Sequence, residues 1–222
     1  LVVVAPSLEA GVRWCEDTLG VTPGPGGEHP LMGTHNRLLR IDSDIWPSAY
    51  LEIIAINKRA TPAINAPARR WFDLDDADFR ARIEAQGPQL AHWVARVPAV
   101  QAVVAHWRTL QIDRGEPVEA SRATPAGELH WRITVRADGA RLFGGCLPTL
   151  IQWGAVHPVG AMPASPLRLM QLEIVHPQAA TLHQALAAAG LTHVRTREGP
   201  QPALRATLQT PLGVVPLTSA TH

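Results

Sequence analysis

The sequence has little that would bind nucleic acid, cross a membrane or build a disulfide framework. Lysine occurs once, as Lys58, and the formal net charge is only +1, so we expect no nucleic-acid surface. No apolar run approaches the roughly 20 residues that span a bilayer, and the apolar start lacks the basic leader of a signal peptide. Cys15 and Cys146 are expected to be free thiols in a reducing compartment. The sequence therefore predicts a cytoplasmic protein that is not membrane-bound.

The composition is that of a globular chain with many short strands. Hydrophobic residues make up 46% of the chain and charged residues 18%, which excludes intrinsic disorder. Twenty prolines and 17 glycines lie mostly between periodic segments, as expected for strands that are joined by turns. A chain of 222 residues is long enough to bury a large core.

A short apolar strand that ends in proline occurs three times, and each copy precedes an amphipathic helical pattern. The copies lie at residues 1–6, 90–98 and 171–177. Counting back six residues from each proline gives His92 in the second copy, Gln171 in the third, and the position that precedes Leu1 in the first. The chain is therefore predicted to repeat one strand–helix–strand unit, with His92 at the start of the central copy.

The repeat predicts the domain organisation. A lone β-hairpin cannot bury one face, so each unit needs its helix and a partner unit. The third unit is the shortest, and no last-strand polar residue in it matches Gln171. The predicted segments are a first βαβββ unit at 1–57, a linker with a short helix at 58–88, a second unit at 89–155, and a linker with a compressed βα-strand unit at 156–222.

Two polar residues lie in strands that are otherwise apolar. Glu52 lies in the last strand of the first unit, and Gln152 lies in the last strand of the second. A buried carboxylate is costly unless it is paired or bound to a metal ion. If the units pair about a pseudo-twofold axis, Glu52, Gln152 and His92 converge in one cavity, where a divalent ion would account for His92 and Glu52 together.

Residues 1–11, 33–36, 50–52 and 150–154 resemble the vicinal oxygen chelate superfamily, and more closely its glyoxalase-like domain proteins, a largely uncharacterised bacterial branch. The resemblance covers residues 1–154 well and the third unit weakly. It implies an α+β fold in which paired βαβββ units form a curved, mostly antiparallel sheet around a metal site. The implied ligands are Glu52, His92, Gln152 and the residue before Leu1, with Zn, Ni, Mn or Fe as the ion.

The resemblance also implies a function. We expect a metal-dependent enzyme of the lyase or isomerase type that acts on a small oxygenated substrate, with Glu52 as catalytic base or ligand. Ring-cleaving dioxygenases of this scaffold carry a carboxylate where this chain has Gln152, so their chemistry fits less well. The alternative is a binding protein that uses the same cavity without catalysis. A homodimer is one assembly that the sequence leaves open.

Four further residues are candidates for substrate binding. His35 and Asn36 open a strand beside a glycine turn, where they either line the pocket or hydrogen-bond within the turn. Arg96 shares a strand face with His92 and either binds a substrate carboxylate or pairs with an acidic side chain. Trp153 is either a stacking platform or part of the core. The sequence has no serine-nucleophile elbow, phosphate-binding glycine loop or paired-cysteine zinc motif.

Overall fold

The computed structural model describes residues 1–60, 69–124 and 127–219, which form an α+β fold. Within these ranges the chain makes four α-helices and three mixed β-sheets of five, four and four strands. The predicted α+β class and the repeated units are therefore confirmed. No helix in these ranges is both long and apolar enough to cross a membrane.

The first unit contains a helix whose ends are fixed by local sequence. The Ser7 side chain accepts a hydrogen bond from the Ala10 N–H at 3.2 Å, and Gly20 ends the helix in a left-handed conformation. The first strand runs parallel to the last, and the remaining pairs are antiparallel. The elements are β1 (Val2–Val4), α1 (Leu8–Leu19), β2 (Glu28–His29), β3 (Thr34–Arg40) and β4 (Tyr50–Ile56).

The segment after the first unit covers one face of its sheet. Helix α2 (Ala77–Gln86) begins after Asp76, whose side chain accepts a hydrogen bond from the Phe79 N–H at 2.7 Å. Phe79 and Ile83 are buried on the sheet, so α2 has an inner surface where the sequence predicted an exposed helix. Part of the predicted linker, residues 61–68, lies outside the described residues.

The second unit begins with a strand that divides between two sheets. The sequence predicted one strand at 90–97, but the strand breaks at Trp93, whose indole N–H donates to the Cys146 carbonyl at 2.8 Å. The first half, β5 (Gln89–His92), pairs antiparallel with β1, and the second half, β6 (Val94–Arg96), pairs parallel with β9 (Thr149–Trp153). The elements are β5 (Gln89–His92), β6 (Val94–Arg96), α3 (Val100–Thr109), β7 (Glu116–Thr124), β8 (Gly127–Val135) and β9 (Thr149–Trp153).

The first two units share a strand order that the third does not. The first sheet has the order β2-β3-β4-β1-β5 and the second β6-β9-β8-β7, so each unit sets its first strand beside its last. The elements of the third unit are β10 (Arg168–Val175), α4 (Ala179–Ala188), β11 (Arg195–Arg197), β12 (Ala203–Thr210) and β13 (Gly213–Thr218). Its sheet has the order β11-β10-β12-β13, which sets its first strand between the next two.

One hydrophobic core joins the three units. The fully buried Trp107 of α3 donates its indole N–H to the Ala185 carbonyl of α4 at 2.8 Å, which fastens the third unit to the second. The Leu169 N–H donates to the Ile41 carbonyl at 2.7 Å, which fastens it to the first. Core residues come from all three units and include Leu19, Ile53, Leu147, Leu150, Leu172 and Leu204.

Candidate functional site

Glu52 projects from the face of the first sheet that is opposite to α1. Its neighbours Leu51 and Ile53 are fully buried in the core, and Ile53 packs closely against Gly11 of α1. Because side chains alternate along a strand, Glu52 points the other way. Its side chain is only 12% exposed, so this carboxylate lies largely out of water in the space between the units.

A short hydrogen-bond network positions the Glu52 carboxylate. Asn36 on β3 donates its Nδ2 to Glu52 Oε1 at 2.6 Å, and its Oδ1 accepts from the Gly27 N–H at 2.8 Å. Asn36 Nδ2 also lies 3.3 Å from His29 Nε2, and His29 Nδ1 lies 3.0 Å from Thr34 Oγ1. With Nε2 as the acceptor, the His29 ring donates through Nδ1 to the Thr34 hydroxyl. The amide therefore holds both the carboxylate and the imidazole.

Burial shifts the pKa values of Glu52 and His29 in opposite directions, and both shifts favour the neutral form of the side chain. Loss of solvent raises the pKa of Glu52, while the Asn36 hydrogen bond and the Arg122 charge partly oppose the rise. Loss of solvent, with help from Arg122, lowers the pKa of His29 to about 4. His29 is therefore neutral at pH 7, and the Glu52 proton is held more tightly than that of an exposed glutamate. A carboxyl group in this state is suited to proton transfer.

Glu52 adjoins a cavity that all three units line, which we call the central cavity. It has a volume of about 460 Å³. The first unit contributes Tyr50 and Glu52, and the second contributes Trp93, Arg96 and Trp153. The third unit contributes Leu169, Leu172 and His193, so it closes a wall that the first two units leave open. A cavity of this size is typical of small-molecule sites.

On its other side Glu52 lines a small pocket of about 60 Å³, which we call the Glu52 pocket. Tyr50, Glu52 and Trp153 line both this pocket and the central cavity. Phe72 covers it from the segment between the units. Burial raises the pKa of Tyr50, so its phenol keeps its proton and remains a hydrogen-bond donor.

His92 is fully buried, but both of its ring nitrogens contact protein groups. Nε2 accepts the Thr149 backbone N–H at 3.1 Å, and Nδ1 lies 3.2 Å from the Gly145 carbonyl, to which it donates. Its ring packs at 5.1 Å from Phe72, and it does not line the central cavity or the Glu52 pocket. Burial sets the pKa of His92 well below its usual value, so the ring is neutral. The ligand role of His92 stays a prediction, without support from this geometry.

Gln152 lies on the helix side of the second sheet. Its Oε1 accepts the Val100 N–H at 3.0 Å, at the start of α3. The sequence aligned Gln152 with Glu52, but the backbone register gives a different match. The Glu52 N–H donates to the Leu1 carbonyl, and in the same way the Thr149 N–H donates to the Trp93 carbonyl. Thr149 is therefore the counterpart of Glu52, and Gln152 lies three positions further along the strand, on the opposite face.

Three of the four predicted substrate-binding residues line the central cavity or the Glu52 pocket, and His35 lines neither. Trp153 and Arg96 line the central cavity, with Arg96 exposed, and Asn36 lines the Glu52 pocket. His35 points to the other face of β3, where its charge couples with that of Glu9 on α1. The alternation of β3 separates His35 from Asn36, and their sequence proximity concealed this difference.

Three residues of the site had no role predicted from the sequence. His29 lies in a two-residue strand within a Gly- and Pro-rich segment that had no clear period. Arg122 comes from the β7–β8 hairpin, and Trp71 comes from the segment between the units. Only Arg122 had a usable signal, because this cation follows Val118 and Ala120 at two-residue spacing and so shares their strand face.

The residues present do not form the metal site that the resemblance implied. Of the predicted ligands, Glu52 faces the cavity, His92 uses both ring nitrogens, and Gln152 lies on the far face. His29, whose Nε2 lies 3.9 Å from Glu52 Oε1, is the nearest imidazole, and Asn36 holds it. In the part of the chain that the structure describes, no three His, Cys, Asp or Glu side chains are grouped to hold an ion.

Two βαβββ units paired through their first strands, with a cavity between them, define a protein of the vicinal oxygen chelate type. The chain belongs to the glyoxalase-like domain family, whose model matches residues 1–190. A search of curated proteins found no match.

Solved structures resemble the chain at low sequence identity. A hypothetical protein from Staphylococcus aureus is 13% identical, with a TM-score of 0.52 over 98% of this chain and 82% of that one. A Streptomyces coelicolor methylmalonyl-CoA epimerase is 17% identical, with a TM-score of 0.41 over 70% of this chain and 93% of that one. The first likeness shows the fold alone, and the second is too weak to carry a functional argument.

Proposed function

We propose that this chain is an enzyme of the lyase or isomerase type that acts on a small oxygenated molecule, with Glu52 as its proton-transferring group. One observation carries the proposal: a largely buried carboxylate faces a cavity, is held by Asn36, and has a raised pKa. A carboxylate that served only the fold would be expected to pair with a cation. Instead, its nearest hydrogen-bond partner is a neutral amide.

The proposed chemistry is proton abstraction beside a carbonyl group. Glu52 takes a proton from the carbon next to the carbonyl. The electron pair of the broken C–H bond forms a carbon–carbon double bond, and the π pair of the carbonyl moves to its oxygen. The protonated Tyr50 phenol lines the same cavity and is a candidate donor to the resulting enolate oxygen. Return of the proton from Glu52 to a carbon completes an isomerisation. Because its pKa is raised, the Glu52 carboxylate is a stronger base than that of an exposed glutamate, which favours the abstraction step.

The alternative is a small-molecule binding protein without catalysis. The wall that the third unit supplies favours it, because Leu169, Leu172 and Leu191 make this wall largely apolar, although it also includes His193. In this case Glu52 and Arg96 would orient a ligand and change nothing in it. A homodimer and a cytoplasmic location also stay predictions.

Hydrogen exchange at carbon separates the two functions, because a panel of simple carbonyl compounds can stand in for the natural substrate. Purified protein is incubated in D₂O with small ketones, hydroxy-ketones and keto acids, and loss of the proton next to the carbonyl is followed by NMR. The panel is run both without added metal and with Zn, Ni, Mn or Fe salts, so that either mode of catalysis is detected.

The expected result is exchange of at least one compound by the wild type, and loss of that exchange in Glu52→Gln. Glu198→Gln is the matched control, because Glu198 is an exposed glutamate outside the site. Binding of a panel compound without exchange would favour the binding protein. Equal exchange by wild type and Glu52→Gln would remove Glu52 from the mechanism.

A further inference from the structure

A second large cavity lies under the β7–β8 hairpin, and we call it the hairpin cavity. It has a volume of about 590 Å³ and is bounded by residues 26–32, Trp71 and one face of the hairpin. The cross-strand partners Val118 with Ile133 and Ala120 with Trp131 supply most of that face. These walls are mostly apolar, so the cavity suits a hydrocarbon or aromatic body.

Arg122 is a cationic residue on the face of the β7–β8 hairpin that lines the hairpin cavity. It follows Val118 and Ala120 at two-residue spacing, so it lies on the same side of β7. It is half-buried and packs against Gly27 so closely that a Cβ atom at that position would clash with the guanidinium. Arg122 forms no ion pair with any residue that the structure describes. A half-buried guanidinium with this much apolar surface around it is ready to accept an anion.

The hairpin cavity adjoins the Glu52 pocket. His29, Trp71, Arg122 and Trp131 line both of them. Arg122 lines the Glu52 pocket together with Glu52 and His29, which places the guanidinium close to the reacting end of the site. A molecule in the hairpin cavity would therefore present its anionic end at the boundary with the Glu52 pocket.

We propose that the hairpin cavity binds the apolar body of a monocarboxylic acid, and that the carboxylate of this acid pairs with Arg122 next to Glu52. The proposal deepens the proposed function, on which it rests, by naming the substrate class. The neighbouring His29 is neutral, so the pocket offers a single positive charge. One cation matches one carboxylate better than it matches a phosphate dianion. The faces of Trp71 and Trp131 favour an aryl group on the body of the acid.

The test is calorimetric binding of 4-phenylbutyrate, with the neutral 4-phenylbutanamide as its isostere. The wild type is expected to bind the acid at least tenfold more tightly than the amide, because a charge-assisted pair to Arg122 is lost with the amide. Arg122→Met should lower the affinity for the acid by about the same factor and leave the affinity for the amide unchanged. Ala120→Leu should weaken both by filling the cavity.

Arg132→Met is the matched control. Arg132 lies on the same hairpin but points outward, where it pairs with the exposed Glu119. The Arg132→Met protein should bind 4-phenylbutyrate with the affinity of the wild type. Equal affinities for acid and amide in the wild type, or acid binding that survives Arg122→Met, would overturn the proposal.

The outcome separates this inference from the proposed function. If Arg122-dependent acid binding persists in Glu52→Gln but no compound exchanges a carbon-bound proton, the acid stands as the class of ligand and the enzyme proposal fails. If exchange occurs with neutral ketones and is unaffected by Arg122→Met, the enzyme proposal stands and the substrate class is wrong.

Discussion

Arg141→Met should strongly destabilise the protein, because Arg141 fastens the segment that covers Glu52. The Arg141 side chain is only 4% exposed, and its Nε donates to Asp73 Oδ2 at 2.8 Å. Its Nη1 donates to the Ala91 carbonyl at 2.9 Å. Asp73 and its neighbour Phe72 both hold left-handed backbone conformations, with φ values of 59° and 61°. These contacts therefore stabilise a strained turn at the wall of the Glu52 pocket.

The magnitude follows from the burial of the pair. Removing one partner of a buried ion pair costs roughly 3–5 kcal/mol, because the other charge is left without compensation. We expect the low end, about 3 kcal/mol, because Asp73 is 27% exposed and keeps the hydrogen bond from the Arg141 backbone N–H. For a protein of this size that corresponds to a fall in melting temperature of roughly 6–12 °C.

Urea unfolding and thermal melts of Arg141→Met check this value. The control is Arg136→Met, which breaks a second Arg–Asp pair, with the exposed Asp138, and should cost about 0–1 kcal/mol. Adding Asp73→Asn to Arg141→Met should recover part of the loss, since it removes the unpaired charge. A loss in Arg141→Met no larger than that in Arg136→Met would refute the reasoning.

Two further predictions concern the buried ionisable groups. The folded state raises the pKa of Glu52 above its unfolded value. Wild-type stability should therefore fall as pH rises from the unfolded pKa of Glu52 through its folded pKa, whereas Glu52→Gln should not show this loss. Melting temperatures from pH 4 to pH 8 check this, and a constant difference between the two proteins would contradict it. His92→Ala should cost roughly 2–4 kcal/mol in urea unfolding, because it leaves a cavity and unpaired groups at Thr149 and Gly145. The cost should not change with added Zn or Mn salts, and exposed His106→Ala is its control.

Much of the fold could be predicted because it depends on local pattern. The helix that begins after Ser7 and ends at Gly20 follows from its cap residues and from apolar spacing. The strand around Glu52 follows from its apolar neighbours. The repeat of strand, proline and helix indicated two paired units, and their first strands do pair through β1 and β5.

The site was harder to predict, because residue spacing does not give the register between strands. A shift of one residue moves a strand's whole set of side chains to the opposite face. Gln152 and Glu52 matched in sequence pattern. The register within each unit instead makes Thr149 the position equivalent to Glu52, and Gln152 lies on the helix side of its sheet. His35 and Asn36 are adjacent, and only Asn36 reaches the site.

The sequence by itself determined which elements form and that Glu52 would be a costly carboxylate within an apolar strand. Only the tertiary structure decided what surrounds it. Asn36, His29 and Arg122 come from three separate strands, and the wall that the third unit adds to the central cavity comes from residues more than a hundred positions away. Local pattern depends on neighbours along the chain, whereas a cavity depends on non-local packing and register. For this reason His92, the clearest feature of the repeat, lies in a buried hydrogen-bond network, and Glu52 lines the cavity.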